Sequence, residues 1–88
     1  MNIIDEETKA FCDMLEYMVG GKWQRTDTDW YYCQLKRNPN YSGILNFYYN
    51  RNIEQFYKYN GQNARFTEIT ELETKKEIKI HTKLLNFA

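Results

Sequence analysis

The residue types in this chain that could do chemistry are few. His81 is the single histidine, and the two cysteines, Cys12 and Cys33, stand far from it and from each other in sequence. A thiol nucleophile needs a base within hydrogen-bond reach, and nothing in the spacing brings His81 to either cysteine. Glu77-Ile78-Lys79 has an acid-x-lysine spacing used by some metal-dependent nucleases, but Asp29 is the last aspartate and no second carboxylate stands at a suitable position. Asp27 and Asp29 read as turn formers, because a magnesium or calcium ion would require more oxygen donors close by. Gly20-Gly21 lacks the flanking pattern of a phosphate loop and reads as a helix stop. The sequence therefore predicts no catalytic residues, no metal site, no cofactor and no enzymatic activity.

What remains is an aromatic band. Seven of the eight tyrosines lie between Tyr31 and Tyr59, interleaved with Trp30, Phe47 and Phe56. The band is also basic. Residues 1–29 hold seven acids against Lys9, Lys22 and Arg25, whereas residues 30–66 hold Lys36, Arg37, Arg51, Lys58 and Arg65 against Glu54 alone. Residues 67–88 balance four acids with four lysines, and the whole chain is neutral. Aromatic rings can serve as interface anchors for a protein or as stacking surfaces for bases, with cations supplying the pairing charge.

Bulk properties limit the alternatives. A chain of 88 residues, 42% apolar and 27% charged with one proline, predicts a single folded domain over residues 1–88. The residues before the first helical stripe are acidic and carry no apolar stretch of the kind a secretion signal needs, so reduced thiols and a cytoplasmic setting are expected. No apolar run approaches a membrane span. Phe, Tyr, Met, Ile, Asn and Lys supply 40 residues while Gly, Ala, Arg and Pro supply 12, the signature of AT-rich coding sequence. That bias suits a phage or mobile element of an AT-rich host.

The elements that must position the band follow from periodicity. Asp5 before Glu6 and Glu7 is a helix start, since a carboxylate accepts from orphan backbone N–H groups and acids oppose the positive end of the helix. Phe11, Met14, Leu15 and Met18 form one apolar stripe, so a helix is predicted over about Glu6–Val19. The period then changes to two. Strands are predicted over Lys22–Thr26, Trp30–Arg37, Ile44–Tyr49, Ile53–Tyr59 and Ala64–Thr70, with breaks at Asn38-Pro39-Asn40 and Ser42-Gly43 and a hairpin turn at Asn60-Gly61. The last segment admits two readings. Thr70 with Glu73 fits a capping box and would start a helix at Glu71, while the alternation over Glu77–Leu84 favours a sixth strand. The fold class is α+β: an N-terminal amphipathic helix packed on a five- or six-stranded antiparallel meander.

Alternation then divides the aromatic band. Tyr31, Cys33 and Leu35, with Leu45, Phe47 and Tyr49, are expected to face the helix. Trp30, Tyr32 and Tyr48 are expected on the outer face. If Ile53, Tyr57 and Tyr59 turn inward, Phe56 and Lys58 join the outer set. The candidate binding residues are thus Trp30, Tyr32, Tyr48 and Phe56, fringed by Lys36, Lys58 and Arg51. The expected partner is a protein, in the manner of a small phage-encoded modulator or inhibitor of a host protein, or a second copy in a homodimer. The alternative is single-stranded RNA or another single-stranded nucleic acid. Neutral net charge and the absence of an RNP-like run weigh against that alternative.

Overall fold

The structure, a computed structural model, describes residues 5–35, 45–60 and 64–87. The elements run α1 (Glu6–Val19), β1 (Trp23–Arg25), β2 (Trp30–Gln34), β3 (Leu45–Asn50), β4 (Gln55–Asn60), β5 (Arg65–Ile69) and α2 (Glu71–Phe87). The five strands form one antiparallel sheet in chain order. This is the predicted α+β meander with its N-terminal helix. The predicted breaks at 38–40 and 42–43 and the Gly61 position of the hairpin turn lie outside the described residues.

α1 begins as its sequence dictates. Asp5 accepts from the Thr8 backbone N–H through its side chain at 2.6 Å, and that bond holds its carboxyl below the ordinary value. The helix ends where Gly20 takes φ +87° and ψ −176°, a conformation that essentially only glycine adopts. Gly21 follows at φ +79°, and a Cβ there would stand 2.6 Å from the Cys33 sulfur. Two glycines thus let the chain reverse tightly enough for the α1 stripe to lie on the sheet.

The last segment is a helix, which corrects the preference for a sixth strand. The capping box forms in both directions: the Glu73 N–H donates to Thr70 Oγ1 at 3.1 Å, and the Thr70 N–H donates to Glu73 Oε1 at 3.2 Å. Over residues 71–82, the part of α2 whose side chains are described, the buried or half-buried positions are Thr74, Glu77, Ile78 and His81, a helical stripe in which three of four residues are polar. Thr74 is wholly buried, at no polar cost, because its hydroxyl donates to the Thr70 carbonyl at 2.8 Å. Ile80, which the alternation placed with Ile78, is exposed.

Both helices pack on one side of the sheet. Leu15 and Val19 from α1, Ile78 from α2, and Trp23, Tyr31, Cys33, Phe47, Tyr49, Phe56 and Ile69 from the strands form the core. Rings dominate it: Phe11 lies 4.6 Å from Tyr31, and Tyr49 lies 4.6 Å from Phe56, centroid to centroid. The expected inward set of Tyr31, Cys33, Phe47 and Tyr49 is buried there.

Candidate functional site: the helix-free face of the sheet

The strand register fixes which side chains share the other face. Tyr32 pairs with Tyr48, Tyr48 with Tyr57, Asn46 with Tyr59, and Tyr59 with Phe66. Directly opposed residues project to the same side. Trp30 and Tyr32 of β2, Tyr48 of β3, Tyr57 and Tyr59 of β4 and Phe66 of β5 therefore form one set, uncovered by either helix.

These six rings pack on one another. Phe66 is the hub: it lies 4.9 Å from Tyr57 in a stacked arrangement, 5.3 Å from Tyr48, 6.3 Å from Tyr59 and 6.4 Å from Trp30. Trp30 also lies 5.4 Å from Tyr57, and Tyr32 lies 5.3 Å from Tyr48. The five rings around the hub are half-buried, while Phe66 itself is 48% exposed. Burial, then the neighbouring Tyr32 and Tyr59 phenols, push the Tyr48 hydroxyl above its ordinary value, so that phenol keeps its proton at physiological pH.

Of the candidate residues read from sequence, Trp30, Tyr32 and Tyr48 stand together on this face. Three others do not. Phe56 pairs with Tyr49 and Ile69 and is buried beneath the helices. Lys58 shares its side of β4, and its ammonium lies 2.8 Å from Glu77 Oε1 of α2. Arg51, in the β3–β4 turn, is held on the α1 side. Its guanidinium carbon lies 4.3 Å from the Phe11 ring centroid, and its nitrogens donate to Tyr31 Oη at 3.4 Å and Glu7 Oε1 at 3.2 Å. Lys36 lies outside the described residues.

The condition that Tyr57 and Tyr59 turn inward, on which Phe56 and Lys58 joined the outer set, is thus not met. A lysine on the covered side of β4 is tolerated because α2 brings Glu77 to it. With a strand in place of α2 that carboxylate would not be expected there. Tyr57, Tyr59 and Phe66 are the members of the face that the sequence reading missed. Tyr57 could have been found from Tyr48 by requiring the β3–β4 hairpin to match ring with ring.

The face carries amides rather than cations. By register Gln24, Gln34, Asn46 and Asn50 lie on it, with Glu68 beside Tyr57. No lysine or arginine among the described residues of the five strands projects to this side: Arg25 is opposite Tyr31, Lys58 opposite Phe47, and Arg65 shares the side of Lys58. Asn46 is buried and its Oδ1 has no hydrogen-bond partner among the described residues.

The groups with nucleophilic or acid–base potential lie elsewhere. Burial drives the Cys33 thiol up to about 11, leaving it protonated and inert as a nucleophile. Cys12 lines an open groove between α1 and β1, where burial and then Asp13 raise its thiol. His81 is half-buried near Glu77 and Lys58, and burial lowers its imidazole. Among the described residues no group of three or more His, Cys, Asp or Glu side chains could hold a metal ion, and no helix is long and apolar enough to cross a membrane. No protein-family model, curated protein or solved structure matches this chain.

Proposed function

We propose that this chain is a non-enzymatic binding module that docks on a protein partner through the helix-free face of its sheet. One observation carries the reading: six aromatic rings are gathered on that face around Phe66, and no cationic side chain among the described strand residues stands with them. Rings packed against one another are already ordered, so a partner covering them gains apolar contact at little further entropic cost. Tyrosine hydroxyls and the amides of Gln34 and Asn50 supply a polar rim of the kind protein interfaces use. Small size and an AT-rich coding bias fit a phage or mobile-element product that blocks a host protein by covering a surface.

Single-stranded nucleic acid is the weaker reading. Stacked bases bring phosphates with them, and a stacking platform ordinarily sets lysine or arginine beside its rings. Here Lys58 and Arg51 are engaged on the opposite side. Electrophoretic retardation of labelled single-stranded RNA and DNA at two salt concentrations separates the classes. No shift at micromolar protein supports the protein reading, and a steeply salt-dependent shift abolished by Tyr48→Ala contradicts it. Sedimentation of the isolated chain reveals whether the partner is a second copy.

A further inference from the structure

The groove between α1 and β1 encloses about 630 Å³. One wall is a single stripe of α1 and its cap, formed by Asp5, Thr8, Lys9, Cys12 and Asp13, since positions three and four apart share a helix face. The other wall is β1 with the two residues that follow it. β1 is an outermost strand of the sheet, paired by β2 on one side only. Arg25 reaches from β1 to α1, donating to Thr8 Oγ1 at 3.1 Å and to the Thr28 carbonyl at 2.7 Å. That bridge fixes the spacing of the two walls.

The hydrogen-bond phase of the sheet determines what β1 offers beside that groove. The Thr26 N–H donates to the Trp30 carbonyl at 3.0 Å, one step beyond the Arg25–Tyr31 pair. Antiparallel pairs alternate between bonded and non-bonded. Gln24 and Tyr32 therefore exchange backbone bonds, while Trp23 and Arg25 turn their N–H and C=O groups away from β2. The other side of β2 gives the same phase, because the Arg51 N–H donates to the Asp29 carbonyl at 2.8 Å. Trp23 and Arg25 thus leave two donors and two acceptors along the free edge, with no partner among the described residues. Such a row is a template for another strand.

We propose that this edge takes up an extended, basic peptide segment of a partner protein, which adds as a strand beside β1 with one row of its side chains in the groove against α1. Antiparallel addition exchanges up to four backbone bonds with Trp23 and Arg25, and α1 supplies a wall for alternate side chains. Charge selects the occupant. Asp5, Asp13 and Asp27 line the groove against Lys9 and Arg25, and the Arg25 guanidinium is already held by Thr8 and the carbonyls of Asp27 and Thr28. Lys22, just before β1, is paired with Glu16 at 2.8 Å. Residues 1–29 as a whole carry seven acids against three bases, so lysine or arginine side chains on the segment are favoured over acidic ones. The edge is separate from the aromatic cap and does not rest on the role of that face.

The test is an NMR titration of the full chain with the peptide acetyl-Lys-Val-Thr-Val-Lys-amide. The Trp23 and Arg25 amide protons are expected to shift and to exchange with solvent several-fold more slowly, while the Gln24 amide, already bonded to Tyr32, changes little. Alternate residues of an added strand face β1. N-methylation of the two valines in one peptide, and of the threonine and both lysines in another, should therefore abolish binding in one case and spare it in the other. Arg25→Pro removes the outward N–H, which an edge strand tolerates, and should weaken binding roughly three- to tenfold relative to Arg25→Ala, which loses the same side chain but keeps the N–H. The methylated peptides test the same bonds should Arg25→Pro fail to fold. Replacing both peptide lysines by glutamate should weaken binding roughly two- to fivefold. Equal binding of the two methylated peptides, or equal or tighter binding of the glutamate peptide, overturns the proposal. So does slowed exchange at Phe66 and Glu68, which the same alternation turns to the free edge of β5, in place of Trp23 and Arg25, or no response at ~5 mM peptide, a concentration that detects millimolar affinity.

Discussion

Trp30 of β2 and Phe66 of β5 meet edge to face at 6.4 Å although two strands lie between them. Strands stand about 4.8 Å apart in a sheet, so flat geometry would hold these rings far beyond contact. The sheet must curl toward its helix-free side, and the side chains must lean inward over β3 and β4. Asn50, opposite Trp30 on β3, accepts from the Asn52 and Ile53 N–H groups of the turn, and Trp30 lies 5.4 Å from Tyr57 on the next strand. The outer rings are neither a flat platform nor a closed core; they are a compact cap whose exposed centre is Phe66.

That arrangement separates the role of Phe66 from the stability of the fold. Phe66→Ala removes the hub of the cap but no helix contact, and is expected to cost about 1–2 kcal/mol, as for a half-exposed ring with several aromatic neighbours. Leu15→Ala, which empties a fully buried site under the sheet, should cost about 2–5 kcal/mol. Urea denaturation of the two variants measures both values. A Phe66→Ala cost as large as that of Leu15→Ala would mean that the outer cap is core rather than binding surface.

Gly21→Ala tests the reversal between α1 and β1. The added methyl would meet the Cys33 sulfur at 2.6 Å on a backbone at φ +79°, and relief requires that buried sulfur to shift within a packed core. The expected destabilisation is about 1–3 kcal/mol. Pairing it with Cys33→Ala, which removes the sulfur, should recover part of the loss by the same measurement. Recovery of none would place the whole cost in the backbone.

Lys58 and Glu77 are predicted to couple. Each is about one-third exposed, and they meet at 2.8 Å. A double-mutant cycle with Lys58→Met and Glu77→Gln should give an interaction of about 1 kcal/mol, the upper end for pairs in partial contact with water. A coupling near zero would mean that α2 is held to the sheet by Ile78 and Thr74 without help from charge.

Stability is expected to fall in mild alkali. The Cys33 thiol has an ordinary value of 9.0 and is raised to about 11 by burial, so the folded protein keeps a proton that the unfolded chain releases. Its contribution is fully present below about pH 9 and is lost as the pH rises towards 11. Tyr48 and Tyr49, also raised mainly by burial, act in the same direction above their ordinary value. Thermal melts across this range should show the decline, and Cys33→Ala should flatten its first part. At neutral pH, thiol titration of the native protein should leave Cys33 unmodified until the chain unfolds.

Much of this fold is legible in the sequence because its signals are local. Asp5, the stripe from Phe11 to Met18 and Gly20 each specify α1 independently. On β2 and β3 the smaller or more apolar residues, Cys33 and Phe47, point to the helix and leave Trp30, Tyr32 and Tyr48 outside. β4 resists the same treatment, because Phe56 alternates with Tyr57 and both faces of the strand look apolar. Only the register with Tyr48, together with the Glu77 carboxylate brought by α2, decides the matter. α2 is itself obscured: over residues 71–82 its buried stripe is built from Thr74, Glu77, Ile78 and His81, so the hydrophobic period there is nearly silent while Ile78 and Ile80 alternate. The assumed orientation of β4 therefore misplaced Phe56 and Lys58 and hid Tyr57 and Tyr59.

The binding role of the helix-free face is tested most directly by site-specific photo-crosslinking. The photoreactive p-benzoylphenylalanine is placed at Tyr57, within the aromatic cap, or at Tyr17, which is 91% exposed on α1, and each protein is irradiated in host lysate or with a purified partner. A discrete adduct from position 57, absent from position 17 and lost on adding Phe66→Ala, is the predicted result. An adduct formed from position 17 alone, or equally from both, would contradict it.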